Sequence, residues 1–170
     1  MAADPPLLVT WPATPDDVAA LLRARTQDNT DLEAGAWSVD TRPTLAEVER
    51  LLAMATAVVL GQTGDLTQLP CTTAEDIRTQ AATGVALLAA MLVELSYFPE
   101  QVNSSRSAYQ QYQELFWGTD SRGGMLAMTV QAAAECLAGA VEADAEEGAK
   151  EPSWAFPVDV GGMVGWQTKW

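Results

Sequence analysis

The fold turns on residues 73–98, TAEDIRTQAATGVALLAAMLVELSYF. Thr73 stands where an N-cap hydroxyl is expected, with Asp76 three residues on to reach back to it. Pro99 closes the far end, because it has no N–H for the next helical hydrogen bond. The span makes a helix of roughly 37 Å at 1.5 Å per residue. Ile77, Ala81, Val85, Leu88, Leu92 and Leu95 share one face, but from Val85 to Val93 every side chain is apolar. A helix that is apolar all round has to be covered all round. The expected fold is all-α: a helical bundle around a long apolar central helix, with an extended C-terminal arm. The helix does not read as a membrane span. Thr79, Gln80, Thr83 and Gly84 interrupt the uncharged run between Arg78 and Glu94, and its strongly apolar part is short of the ~20 residues a bilayer requires.

The 170 residues suit one domain with tails, and a hydrophobic content of 48% is enough for a core. The formal charge is −14, and the only lysines are Lys150 and Lys169. Such a balance argues against neutralising many phosphates and against an anionic membrane surface. It suits a soluble surface that repels DNA. Two cysteines, Cys71 and Cys136, have no CxxC spacing, and there is no histidine. Cys136 lies among alanines and reads as a small buried hydrophobe, so neither a disulfide nor a metal site is expected. No secretory leader is recognisable, and a reducing cytosol is the expected compartment at synthesis.

Residues 1–13 are proline-rich and read as an extended N-terminal segment, anchored by Trp11. The helical domain is expected over 14–147. Thr14, Pro15, Asp16 and Asp17 open a short helix with Val18, Leu21 and Leu22 buried, and Arg23 and Arg25 near its end. Residues 26–43 read as an exposed loop, pinned by Trp37, and a loop of this length is usually functional or disordered. Trp37 and Arg42 are its candidate partner-binding residues. Thr44 and Glu47 form a capping box, and Leu45, Val48, Leu51, Leu52, Ala55, Val58 and Val59 follow at helical spacing. Residues 61–72 form a linker. Beyond Pro99, Tyr109, Tyr112, Leu115, Phe116 and Trp117 give a helix with an aromatic core face, ended by Gly118. After Gly123-Gly124, a last helix runs from Met125 to about Ala145, with a small-residue stripe of Met128, Ala132, Cys136 and Gly139. Its acidic end, Glu142 to Glu147, opposes the helix dipole and is expected to fray.

Residues 148–170 change character. Trp154, Trp166 and Trp170 make up half of the six tryptophans. Together with Phe156 they lie on a segment too sparse to build its own core. Such an arm either folds back or docks, and docking is the favoured reading because tryptophans are common interface anchors.

The catalytic sets are missing. The absence of histidine removes the commonest general base, and no phosphate loop, nucleophile elbow or HExxH helix is present. No catalytic residue, cofactor or metal site is assigned. Glu94, inside the apolar helix, is the one unusual carboxylate: either an acid with a shifted pKa or the partner of an arginine. Arg42, Arg50 and Arg106 are the candidates for that pairing, which is the favoured reading.

Four stretches in this order carry a resemblance: PDDVAALL from Pro15, TRPTLAEVERLLAMATAVV from Thr41, ALLAAMLVELSYFPEQV from Ala86, and SAYQQYQELF from Ser107. Over roughly residues 12–137 the chain resembles the head–tail connector (adaptor, or head-completion) proteins of long-tailed bacteriophages. The resemblance rests on segment order and wording, not on a catalytic signature, and the tryptophan-rich end lies outside it. It implies a non-enzymatic virion protein of the neck, made in the host cytoplasm. Its partners would be the portal protein, the stopper or a tail-completion protein, and itself in a twelve-fold ring. Double-stranded DNA would pass through the lumen without sequence-specific binding, and no membrane is involved. Two other readings remain: an acidic DNA mimic that inhibits a nucleic-acid enzyme, and a tail-completion protein.

Overall fold

A computed structural model describes residues 11–27, 35–102, 107–119 and 122–148. Its first helix, α1 (Pro15–Leu21), opens on Thr14, whose N–H and hydroxyl both donate to Asp17 Oδ2 at 2.7 Å. A 3₁₀ turn follows over Arg23–Arg25. Helix α2 (Leu45–Thr63) opens in the expected box, with the N–H and hydroxyl of Thr44 donating to Glu47 Oε2 at 2.8 Å each. Its buried face is Val48, Leu52, Ala55, Val59 and Thr63, and Gly64 ends it at φ 76°.

The central helix, α3, spans Ala74–Tyr97. All residues from Val85 to Val93 are buried except Leu92, which is partly covered. The cover comes from α1 and α2 and from two later helices, α5 (Ala108–Trp117) and α6 (Met125–Gly148). By length and composition α3 could cross a membrane, but here it is the largely buried core helix of a bundle. The all-α bundle around an apolar centre is thus what the chain forms. The C-terminal arm lies outside the described residues.

Several local expectations are corrected. Thr73 does not cap α3: its backbone has already turned inward (φ −91°, ψ 8°), and its hydroxyl donates to Cys71 Sγ instead. Leu95 is exposed, while Val93 and Glu94 are buried, because the last turn of α3 is covered from the side of α1 and α5. Beyond Phe98, Pro99 starts a single further turn, α4 (Pro99–Val102), in keeping with proline's fitness for a first helical position. The linker before α3 is not loose. Leu66 and Leu69 are buried, and Arg78 donates to the carbonyls of Leu66 and Thr67.

The largest correction is a disulfide between Cys71 and Cys136. It ties the linker to α6 across 65 residues of sequence, a separation with no local signature. Cys136 is buried as expected, but as a bonded cysteine. Among the α6 residues whose burial is described, 125–139, the buried ones are Thr129, Ala133 and Cys136, whereas Met128 and Gly139 of the anticipated stripe are exposed. Helix α6 runs to Gly148, slightly past the expected end. A short antiparallel ladder, β1 (Gly118–Thr119) with β2 (Arg122–Gly123), links α5 to α6. Gly118 enters it at φ 86°, where a Cβ would collide with the backbone of Arg122 and Gly124.

Three contacts fix the helix directions. Tyr97 at the end of α3 lies close enough to Glu47 at the start of α2 for the two side chains to influence each other, so these two helices are antiparallel. Met125 lies beside Gly84, in the middle of α3, while Cys136 reaches Cys71 just before α3 begins. Helix α6 is therefore antiparallel to α3 and parallel to α2.

Candidate partner-binding surfaces

Trp37 belongs to the interior. The strand bridge Gln27–Ala36 holds the start of the 26–43 loop against its middle, and the indole Nε1 of the next residue donates to Pro15 O at 3.0 Å. At 6% exposure the side chain has little surface to offer a partner. Thr41 and Pro43 are buried beside the start of α2, whereas Arg42 between them is exposed. The structure therefore separates the two loop candidates, and only Arg42 faces solvent. Trp154, Phe156, Trp166 and Trp170 lie outside the described residues.

Glu94 is 3% exposed and forms a bidentate ion pair with an arginine that sequence reasoning did not name. Arg25 Nε reaches Oε1 at 3.0 Å and Nη2 reaches Oε2 at 3.2 Å. The guanidinium also lies over the Phe98 ring, 3.6 Å from its centroid. Arg25 was read only as a helix-end charge. The 3₁₀ turn after α1 carries it to the end of α3, and nothing in the local sequence signals that turn. Tyr112 of α5 donates to Leu21 O at 2.6 Å, and its pKa is raised by burial and by the Glu94 charge.

A pocket of about 400 Å³ opens at this joint, lined by Leu21, Leu22, Arg23, Arg25, Glu94 and Ser107. Apart from Arg23, its polar side chains are engaged. Both Glu94 oxygens are held by Arg25. Ser107 caps α5, accepting from the Gln110 N–H and donating to Val102 O. No activated nucleophile stands beside a base here. The arrangement fixes α1, α3 and α5 to one another. Among the described residues no group of three or more potential metal ligands is gathered.

The outer faces of α2 and α6 have a different chemistry. The exposed positions in the second half of α2 are Ala53, Met54, Ala57, Val58, Gly61 and Gln62, with Met54 57% and Val58 44% exposed. No charged residue occurs between Arg50 and Asp65. On α6, Met128 and Leu137 are exposed, and Glu135 is the only charge between Arg122 and Glu142. The two helices touch along the bundle. In so acidic a chain this side is unusually poor in charge. Sequence periodicity did not expose it, because Val58 was assigned inward with Val59. Leu115 and Trp117 of α5 are a separate exposed apolar pair, so the aromatic face of α5 is only partly core.

Comparison with family models, with curated proteins and with solved structures finds no match to this chain.

Proposed function

We propose that this chain is a structural adaptor of a long-tailed bacteriophage neck, forming a ring between the portal and the stopper and extending the DNA channel. The observation that carries the reading is the division of the surface: a charge-poor side on α2 and α6 in a protein with net charge −14. Identical acidic subunits repel one another, so they can pack only where charge is scarce. The remaining acidic surface suits a lumen that DNA passes without sticking.

Three further features support it. The sequence resembles connector proteins over roughly residues 12–137. The bundle is cross-tied by the Cys71–Cys136 disulfide and the Arg25–Glu94 pair, which suits a part that bears load. Arg25, Glu94 and Ser107 at the pocket are committed to joining helices, and the reading assigns no reaction. Partners under this proposal are the portal, the stopper or tail-completion protein, and further copies of the chain. The working place is the virion neck.

Negative-stain imaging of the protein mixed with its cognate portal is the test. A ring of added density coaxial with the portal is expected. Portal particles unchanged at saturating protein would overturn the assignment. The net charge alone favours a second reading, an acidic mimic of DNA that blocks a nucleic-acid enzyme.

A further inference from the structure

We infer that the outward face of α2, centred on Met54 and Val58, is the seat for residues 149–170 of an adjacent copy of this chain. The inference rests on the ring reading for the need of copies to meet.

The charge distribution is the first argument. Within residues 149–170, Lys150 and Lys169 offset Glu151 and Asp159, so the whole excess of −14 belongs to residues 1–148. The C-terminal segment can therefore approach the acidic body of another copy without net repulsion. It also carries Trp154, Phe156, Trp166 and Trp170, whose burial needs an apolar surface without charges. The α2 face has that composition. Its Met54 thioether is a favourable neighbour for indole rings.

Geometry supplies the second argument. Helix α6 is held at Cys136 to the entry of α3, then continues as helix to Gly148. Those residues carry the chain about 18 Å beyond the disulfide, at 1.5 Å per residue. They point past the end of the bundle where α2 also finishes. The segment that follows, residues 149–170, begins there. Its extended reach, up to about 70 Å at ~3.3 Å per residue, is ample to cross to a neighbour.

Symmetry is the third. A ring of identical subunits needs two different complementary patches, one to give and one to receive. A tryptophan-bearing segment and a helix face without charge from Leu51 to Gly64 make such a pair, each used once per subunit.

The test uses the full chain without portal. Unlabelled and ¹⁵N-labelled protein are mixed in equal amounts at several hundred micromolar, with a photoreactive phenylalanine derivative replacing Val58. Cross-linked peptides joining α2 to residues 149–170 are expected, about half of them pairing light with heavy chains. Met54→Glu in otherwise unaltered protein should weaken self-association at least tenfold by sedimentation, with an unchanged helical circular dichroism spectrum. Cross-links confined to one chain, cross-links to another part of the neighbour, or none at all would each overturn the inference. Mixed cross-links without a portal ring would remove the adaptor reading and leave this surface pairing standing. A portal ring without these cross-links would do the reverse.

Discussion

Glu94 shows how a single residue can be legible in kind and illegible in partner. A carboxylate in an apolar helix has to be paired or neutralised, and that much follows from sequence. Its partner, Arg25, lies 69 residues away, brought there by a 3₁₀ turn and the packing of α1 on α3. The guanidinium is largely covered and the carboxylate almost completely so. Removing one member of such a pair leaves the other charge stranded. Arg25→Ala should therefore cost about 3–5 kcal/mol in urea unfolding. The double variant Arg25→Met with Glu94→Leu should recover most of that loss, because an apolar pair of similar volume carries no stranded charge. If the double variant were as unstable as the single one, packing over Phe98, and not charge, would be what Arg25 supplies.

At the scale of the element, the helices themselves were readable because their causes are local, although Val58, Leu95 and Met128, placed inward by spacing, lie outward. The Thr44–Glu47 box and the all-round apolar run of α3 need only neighbours in sequence. The disulfide and the buried linker were not readable, because both depend on which helix ends meet. The Glu47 box gives a pH prediction. Hydrogen bonds from the Thr44 backbone and hydroxyl lower the Glu47 pKa below the usual glutamate value. A lowered folded pKa means that the unfolded chain binds the proton more readily. The contribution is present above the unfolded value and lost as pH falls through the folded one. Glu47→Gln should therefore destabilise at pH 7, and its difference from wild type should shrink below about pH 4 in denaturant titrations. A pH-independent difference would show that the carboxylate's charge is not what stabilises α2. The Cys71–Cys136 bond closes a 65-residue separation, for which the loop-entropy relation gives about 4 kcal/mol. Cys136→Ser should lower unfolding stability on that order. It should also raise amide exchange in α6 beyond position 136 before the rest of the bundle responds.

For the molecule as a whole the governing quantity is charge, and it separates the two functional readings by sign. A net charge of −14 confined to residues 1–148 makes copies repel through water over a Debye length of ~10 Å at 0.1 M salt. If copies meet through the charge-poor side of α2 and α6, their contact is apolar and the opposing force is screened repulsion. Raising sodium chloride from about 0.02 M to 0.5 M, where the screening length falls to only a few ångströms, should then strengthen self-association. An acidic mimic bound to a basic enzyme would behave in the opposite way, since its attraction is the term that salt screens. Sedimentation across that salt range reads the sign directly. Association that grows with salt, and that Val58→Glu abolishes, is the expected result. Association that falls with salt would mean that opposite charges hold the contact together, and the charge-poor side would lose its place as the surface on which this protein works.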